Sequence, residues 1–333
     1  MDTQREKSEN FLSLWSRVFT GNSVNIAIFT IILFIVSPIL APGTLSSASL
    51  LSMIPFAAVL AIATVGQTLV IQQRGLDLSV PGMMALGAVF GTAMTQNHNA
   101  PIWLAVLAGV LIPGLMGLVN GVFVAVFKVV PIIITLGMNS ILIGFVFYFS
   151  GGTPAGAANS LNQFALKKSL GIPNTLLIAL LLIVIVSIIT QGTIVGRKLR
   201  NIGVSERTAL ILGHQVTKYK VMAYGFAGLC YGAAGVLLAA YIQTPNLFVG
   251  DSYLLPSVAA VVLGGSALTG GISSVLASSI AALFLTQLGQ VLRSLGWPDS
   301  SQYIAQAAVL IIVVVSREII DMSKKRRALK KVA

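Results

Sequence analysis

Long apolar runs alternate with short polar breaks along almost the whole chain. A helix rises about 1.5 Å per residue, so crossing roughly 30 Å of hydrocarbon takes about 20 apolar residues. Ten windows come near that length: 24–41, 48–72, 79–96, 101–127, 130–150, 173–190, 219–242, 254–268, 272–292 and 302–316. The eighth is short and is expected to be broken or tilted. The pattern predicts an all-α polytopic membrane protein with about ten transmembrane helices.

Composition agrees. Of 333 residues, 56% are hydrophobic and 9% charged. Soluble domains are about one-quarter charged, so this chain has too few charges to cover a water-facing body. The 21 Lys and Arg outnumber the 9 Asp and Glu, giving a net charge of +12. These bases gather at Arg5, Lys7 and Arg17, from Arg197 to Lys220, and from Lys324 to Lys331. Clusters flanking apolar spans mark the cytoplasmic side. With the N-terminus inside, Arg74, Lys128, the 197–220 segment and the tail also fall inside. The connections near 42–47, 97–100, 151–172, 244–253 and 293–301 then lie outside, with Lys167, Lys168 and Arg293 as their only bases. Both termini are expected in the cytoplasm. The expected division is a cytoplasmic segment 1–22, a membrane domain 23–320 containing a cytoplasmic segment 196–220, and a basic tail 321–333. No cleavable signal peptide is expected. Nucleic-acid binding finds no support, because aromatic residues do not interleave with the basic ones. Cys230 is the single cysteine, so no internal disulfide forms, and its apolar setting suggests a buried structural thiol.

Signatures of chemistry are scarce. His98 and His214 are far apart and have no companions at ligand spacing, so no metal site is expected. There is no GxSxG elbow and no Gly-Lys dipeptide, hence no phosphate-binding loop. A membrane-embedded enzyme or an ion-coupled carrier would need titratable groups within the spans. The polar residues within the spans are instead neutral: Gln67, Asn120, Thr135, Asn139, Gln287, Gln290, Gln302 and Gln306. Two readings stand for these. They line a path for a polar, uncharged solute, or they are interhelical hydrogen bonds worth about 0.6 kcal/mol each.

A conduit without an engine must be driven from outside. The longest cytoplasmic connection, GRKLRNIGVSERTALILGHQVTKYK (196–220), is the place to look. Within it Ser205 can cap a short helix, Glu206 suits its N-terminal dipole and Gly213 can end it. A capped helix there can transmit force; an ordinary solvated loop is the other reading. GAVFG (87–91), GLVNG (117–121) and GLCYG (228–232) are small-residue patterns of close helix packing. DLSVPGMMALG (77–87) and DSYLLPSVAAVVLG (251–264) are alike and fall on opposite sides of the membrane, as an inverted repeat or by chance. The patch RGLDLSVPGMMALG (74–87) reads as a tight cytoplasmic turn. Gly75 reverses the chain, Asp77 or Ser79 caps the next helix, and Pro81-Gly82 starts it. Arg74 has two partners in prospect, Asp77 or a cytoplasmic subunit.

GLDLSVPGMMALG (75–87), VVPIIITLGMNSI (129–141), GRKLRNIGVSERTALILG (196–213) and VAAVVLGGSALTGGISS (258–274) occur in an order and spacing that carry a resemblance. Over about residues 45–320 the chain resembles the inner-membrane permease subunits of bacterial ABC importers for ribose and similar monosaccharides, which include those for autoinducer-2. The resemblance implies a type II importer bundle and a second permease, identical or homologous. It also implies two cytoplasmic ATPase subunits that hold the ATP, a periplasmic solute-binding protein, and no cofactor on this chain. The implied ATPase-coupling residues are Gly196, Arg197, Gly203, Glu206, Ala209 and Gly213, with Thr208 where the family usually shows alanine. Arg74 and Pro81 each stand where the family usually has glycine. The implied function is the translocation path of an ATP-driven monosaccharide importer; nucleoside and branched-chain amino-acid permeases share related motifs. Lys167 and Lys168 either meet acids of the binding protein or are a solvated pair of little energy.

Overall fold

The computed structural model of the chain describes residues 21–298, 300–309, 311–312 and 315. The expected N-terminal cluster of Arg5, Lys7 and Arg17, the basic tail from Lys324 to Lys331, and both termini lie outside the described residues. In chain order the helices are α1 (Gly21–Leu40), α2 (Ser47–Gln72), α3 (Val80–Gln96), α4 (Ile102–Ala125), α5 (Pro131–Ser150) and α6 (Asn159–Leu166). A small hairpin follows, β1 (Lys168–Ser169) and β2 (Ile172–Pro173). Then come α7 (Asn174–Gly192), α8 (Ile194–Val204), α9 (Glu206–Ile211), α10 (Val216–Ile242), α11 (Asp251–Leu263) and α12 (Val275–Ser294). A further helical run covers 300–309.

Each apolar window holds helix, but seven of the described helices are long and apolar enough to cross a membrane. The windows at 79–96 and 254–268 give α3, with 17 residues, and α11, with 13. At 1.5 Å per residue these are about 26 and 20 Å long, short of the ~30 Å hydrocarbon. The chain reaches each through an unwound stretch, 75–79 before α3 and 243–250 before α11. Hydropathy counts apolar residues but does not say where winding begins.

Helices α1, α4, α5 and α7 turn large side chains outward, Ile39 at 76% exposure among them. An apolar surface that wide belongs in hydrocarbon rather than water. The molecule is thus a mostly helical, multi-pass membrane protein.

Helix α10 is the hub, packed on α2, α3 and α4. Tyr224 and Tyr231 on it are fully buried. It meets α4 backbone to backbone. A Cβ at Gly117 would strike the Tyr224 carbonyl, one at Gly228 the Pro113 carbonyl, and one at Gly232 the Gly109 carbonyl. GLVNG and GLCYG are therefore two sides of one packing seam, and Gly87 of GAVFG closes on the Gly232 carbonyl.

The connection 151–172 contains α6 and the hairpin. Leu161 and Ala165 of α6 pack on Ala240, and the Asn162 side-chain amide donates to the Ala240 carbonyl at 2.9 Å.

Candidate functional site

The patch at 74–87 is not a surface turn. After α2, residues 75–79 run unwound into the bundle, and Gly75, Asp77 and Ser79 are buried. The left-handed residue is Arg74, at φ +61°, and not Gly75. That conformation suits the glycine the family usually carries there. Gly75 is needed for space instead, since a Cβ would collide with the Tyr224 hydroxyl.

Unwound backbone at membrane depth must find partners within the protein. The Leu78 N–H donates to Thr135 Oγ1 at 3.0 Å, and the Ser79 N–H to Asp77 Oδ1 at 2.9 Å. The Gly82 N–H donates to Asn139 Oδ1 at 2.7 Å. Asn120 Nδ2 donates to Ser79 Oγ at 3.0 Å, and that hydroxyl donates to Asp77 Oδ1. Asn120, Thr135 and Asn139, three of the expected path residues, thus converge on this segment and hold it.

The capping expectation changes accordingly. Ser79 occupies the N-cap of α3, but its side chain caps no helical N–H. Asp77 serves the residue two places on, a turn within its own segment. The cap comes from α5, through Asn139. Pro81 does stand in the first turn.

The end of α2 is fastened to the segment that follows α7. Gln73 Nε2 donates to the Leu199 carbonyl at 2.8 Å. Arg74 does not pair with Asp77; its Nε donates to the Gly203 carbonyl at 2.8 Å and its Nη2 to the Val204 carbonyl. The Gly271 N–H donates to the Gln72 carbonyl at 3.0 Å. Gly203 approaches Gln72 so closely that a Cβ would strike its carbonyl, and Gly196 is as tight against Thr190.

Beyond this joint, Ser205 Oγ accepts from the Thr208 N–H at 3.2 Å and caps α9. Glu206 sits in its first turn and Gly213, at φ +74°, follows its end. The short capped helix expected from SERTALILG is there; the separate helix α8 before it was not foreseen. Glu206 pairs with Lys220 on α10. Ala209 is buried with Ile202 and Val216, while Leu210, Ile211 and Leu212 are exposed, Ile211 at 80%. Arg197, Arg200 and Arg207 are exposed along the same stretch. The result is an anchored helix with an apolar tip in a basic surround.

At the opposite end of the bundle is a cavity of about 530 Å³ among α2, α10, α11, α12 and the 300–309 run. Phe56, Tyr253, Gln290, Arg293, Gln302 and Gln306 are among its walls. Gln302 Oε1 accepts from Arg293 Nη1 at 3.1 Å, and Gln290 Oε1 from Nη2 at 3.4 Å. The two readings of the neutral polar residues therefore divide. Gln290, Gln302 and Gln306 line the cavity. Gln67 accepts from the Tyr231 hydroxyl at 2.7 Å, and Gln287 donates to Ser37 Oγ at 3.0 Å, both as interhelical bonds. Lys167 and Lys168 are exposed at the hairpin, beside Leu170. Among the described residues no three His, Cys, Asp or Glu come together as a metal site, and Cys230 is buried.

Residues 49–314 match the family described as the permease component of branched-chain amino acid transport systems. The chain is 32% identical to the ribose import permease protein of Bacillus subtilis (strain 168), over 85% of this chain and 89% of that one. It is 31% identical to the ribose import permease protein of Escherichia coli (strain K12), over 86% and 90%. It is 32% identical to the autoinducer 2 import system permease protein of Escherichia coli (strain K12), over 76% and 78%. No solved structure matches.

Proposed function

This chain belongs to the permease-component family of branched-chain amino acid transport systems, and we propose from that premise that it is the membrane-spanning subunit of an ATP-driven importer of a monosaccharide or similar polyol. The observation that carries the reading is α9: a capped helix with an exposed apolar tip, continuous with α8, which Gln73 and Arg74 fasten to the start of the unwound segment in the bundle. Ribose-type cargo is supported by the ribose and autoinducer 2 relatives. The amides, hydroxyls and aromatic rings that stand among aliphatic side chains in the cavity walls also suit a sugar.

In this reading a second permease, identical or homologous, completes the path. Two cytoplasmic ATPase subunits bind ATP and press on α9, with Gly196, Arg197, Gly203, Glu206, Ala209 and Gly213 shaping the contact. A periplasmic binding protein delivers cargo to the cavity end, where Lys167 and Lys168 stand ready to meet its acidic residues. This chain binds no cofactor itself. It sits in the inner membrane with both termini in the cytoplasm, its permease domain spans 23–320, and ten helices complete a type II importer bundle. Helices α3 and α11 are the inverted pair; support comes from Pro81, whose carbonyl closes on Gly250, so two short helices begin side by side from opposite ends.

A second reading, branched-chain amino-acid cargo, draws on the family description and on Arg293 at the cavity wall, a guanidinium that suits a carboxylate. Uptake of labelled ribose by the assembled complex, competed with unlabelled ribose or leucine, separates the two. Competition by ribose alone is expected; competition by leucine alone transfers the cargo to the second reading.

A further inference from the structure

We propose that Arg74 is a positioning residue for transport: a latch that passes the displacement of α9 to the unwound segment 75–79 and so to α3. The proposal rests on the importer reading above.

Three consecutive residues fasten one spot. The Gln72 carbonyl takes the Gly271 N–H at 3.0 Å. Gln73 reaches the Leu199 carbonyl, and Arg74 reaches the carbonyls of Gly203 and Val204. These acceptors lie on α8, and the last four carbonyls of a helix have no partner within it. A guanidinium, with its fan of donors, is suited to take up two of them at once. Val204 is the last residue of α8, and Ser205, next in the chain, caps α9. The acceptor side of the latch is thus one residue from the helix offered to the ATPase.

The donor side is as direct. Arg74 immediately precedes Gly75, and two residues later Asp77 lies fully buried, bonded to Ser79 at the head of α3. Arg74 keeps its place against its own backbone preference, at φ +61°, where glycine is at ease and a side chain is not. Its aliphatic stem runs under Gly270, where a Cβ would strike Cγ, so the glycine loop 270–271 closes over it. A side chain held in an unfavourable backbone conformation, spanning two moving parts, is a connection rather than a surface charge.

The backbone supplies the test. In Arg74→Gly the left-handed turn becomes easier while the latch is lost, so folding and function separate. The variant is compared with wild type and Arg74→Lys in the complete importer, reconstituted with its ATPase and binding protein. Three quantities are read: thermal stability of the complex, ATP hydrolysis, and solute imported per ATP hydrolysed. Expected is an R74G complex that assembles and hydrolyses ATP, its loss of two hydrogen bonds partly offset by the easier left-handed turn, with solute per ATP reduced at least about fivefold, and R74K in between. Unchanged solute per ATP in R74G overturns the latch. Loss of assembly in R74G overturns it too, by making the contact structural. Failure of the wild-type complex to import would count against the importer reading, whereas the R74G-to-wild-type ratio bears on the latch alone.

Discussion

Asn139 of α5 caps a helix that is not its own: its Oδ1 accepts the Gly82 N–H of α3 at 2.7 Å. Helix α3 has no side-chain cap of its own, because Asp77 is occupied within its own turn and the Ser79 side chain bonds no helical N–H. A residue that sequence alone would as readily assign to the solute path is therefore a support. Asn139→Ala is expected to cost about 1 kcal/mol, as loss of an N-cap does, seen as a lower unfolding temperature in detergent with cargo preference unchanged. Altered preference at unchanged stability would return Asn139 to the path.

The α4–α10 seam makes a paired prediction. Gly228 sits against the Pro113 carbonyl, whereas Gly144 on α5 has nothing near a would-be Cβ. Gly228→Ala should destabilise by about 1–3 kcal/mol through overpacking. Gly144→Ala should be neutral or gain up to about 1 kcal/mol from helix propensity. Equal effects in thermal inactivation would mean the two helices do not touch there.

The tip of α9 should bind without supporting the fold. Ile211 is largely exposed, so Ile211→Asp is expected to leave permease stability within about 0.5 kcal/mol. Its affinity for the ATPase subunit should fall by about 2 kcal/mol or more, roughly thirtyfold, as for an interface anchor. A titration of detergent-solubilised permease with the ATPase checks this; undiminished affinity would remove α9 from the contact.

The cavity gives a kinetic prediction. Two glutamine oxygens hold Arg293 at the wall. A hydrogen bond to a charged group contributes about 1.5–3 kcal/mol. Arg293→Gln should therefore raise the KM of uptake by roughly tenfold or more, with the binding protein's own affinity for solute untouched. If KM stays put while stability falls, Arg293 is a brace for α12 and not part of the cargo route.

Much of this was legible in the sequence because lipid leaves few options: apolar length locates helices. The capped helix α9 could be read from Ser205, Glu206 and Gly213, since caps are local chemistry. What escaped was set by distant partners. Nothing near Asp77 tells that Thr135 and Asn139, over fifty residues on, satisfy the backbone around it. Hence the segment 75–79 reads from sequence as a turn. The Arg74–Asp77 pairing fails for the same reason: the acceptors of Arg74 are backbone carbonyls at 203 and 204, invisible to any pairing of charges. Helix α6 has only eight residues and owes its position to Ala240, which leaves too short a pattern to notice.

The most direct test is uptake into vesicles containing this permease with and without its ATPase and binding protein. Accumulation of ribose against its gradient is expected only when all components and ATP are present. Uphill accumulation by the purified chain alone would contradict a conduit driven through α9.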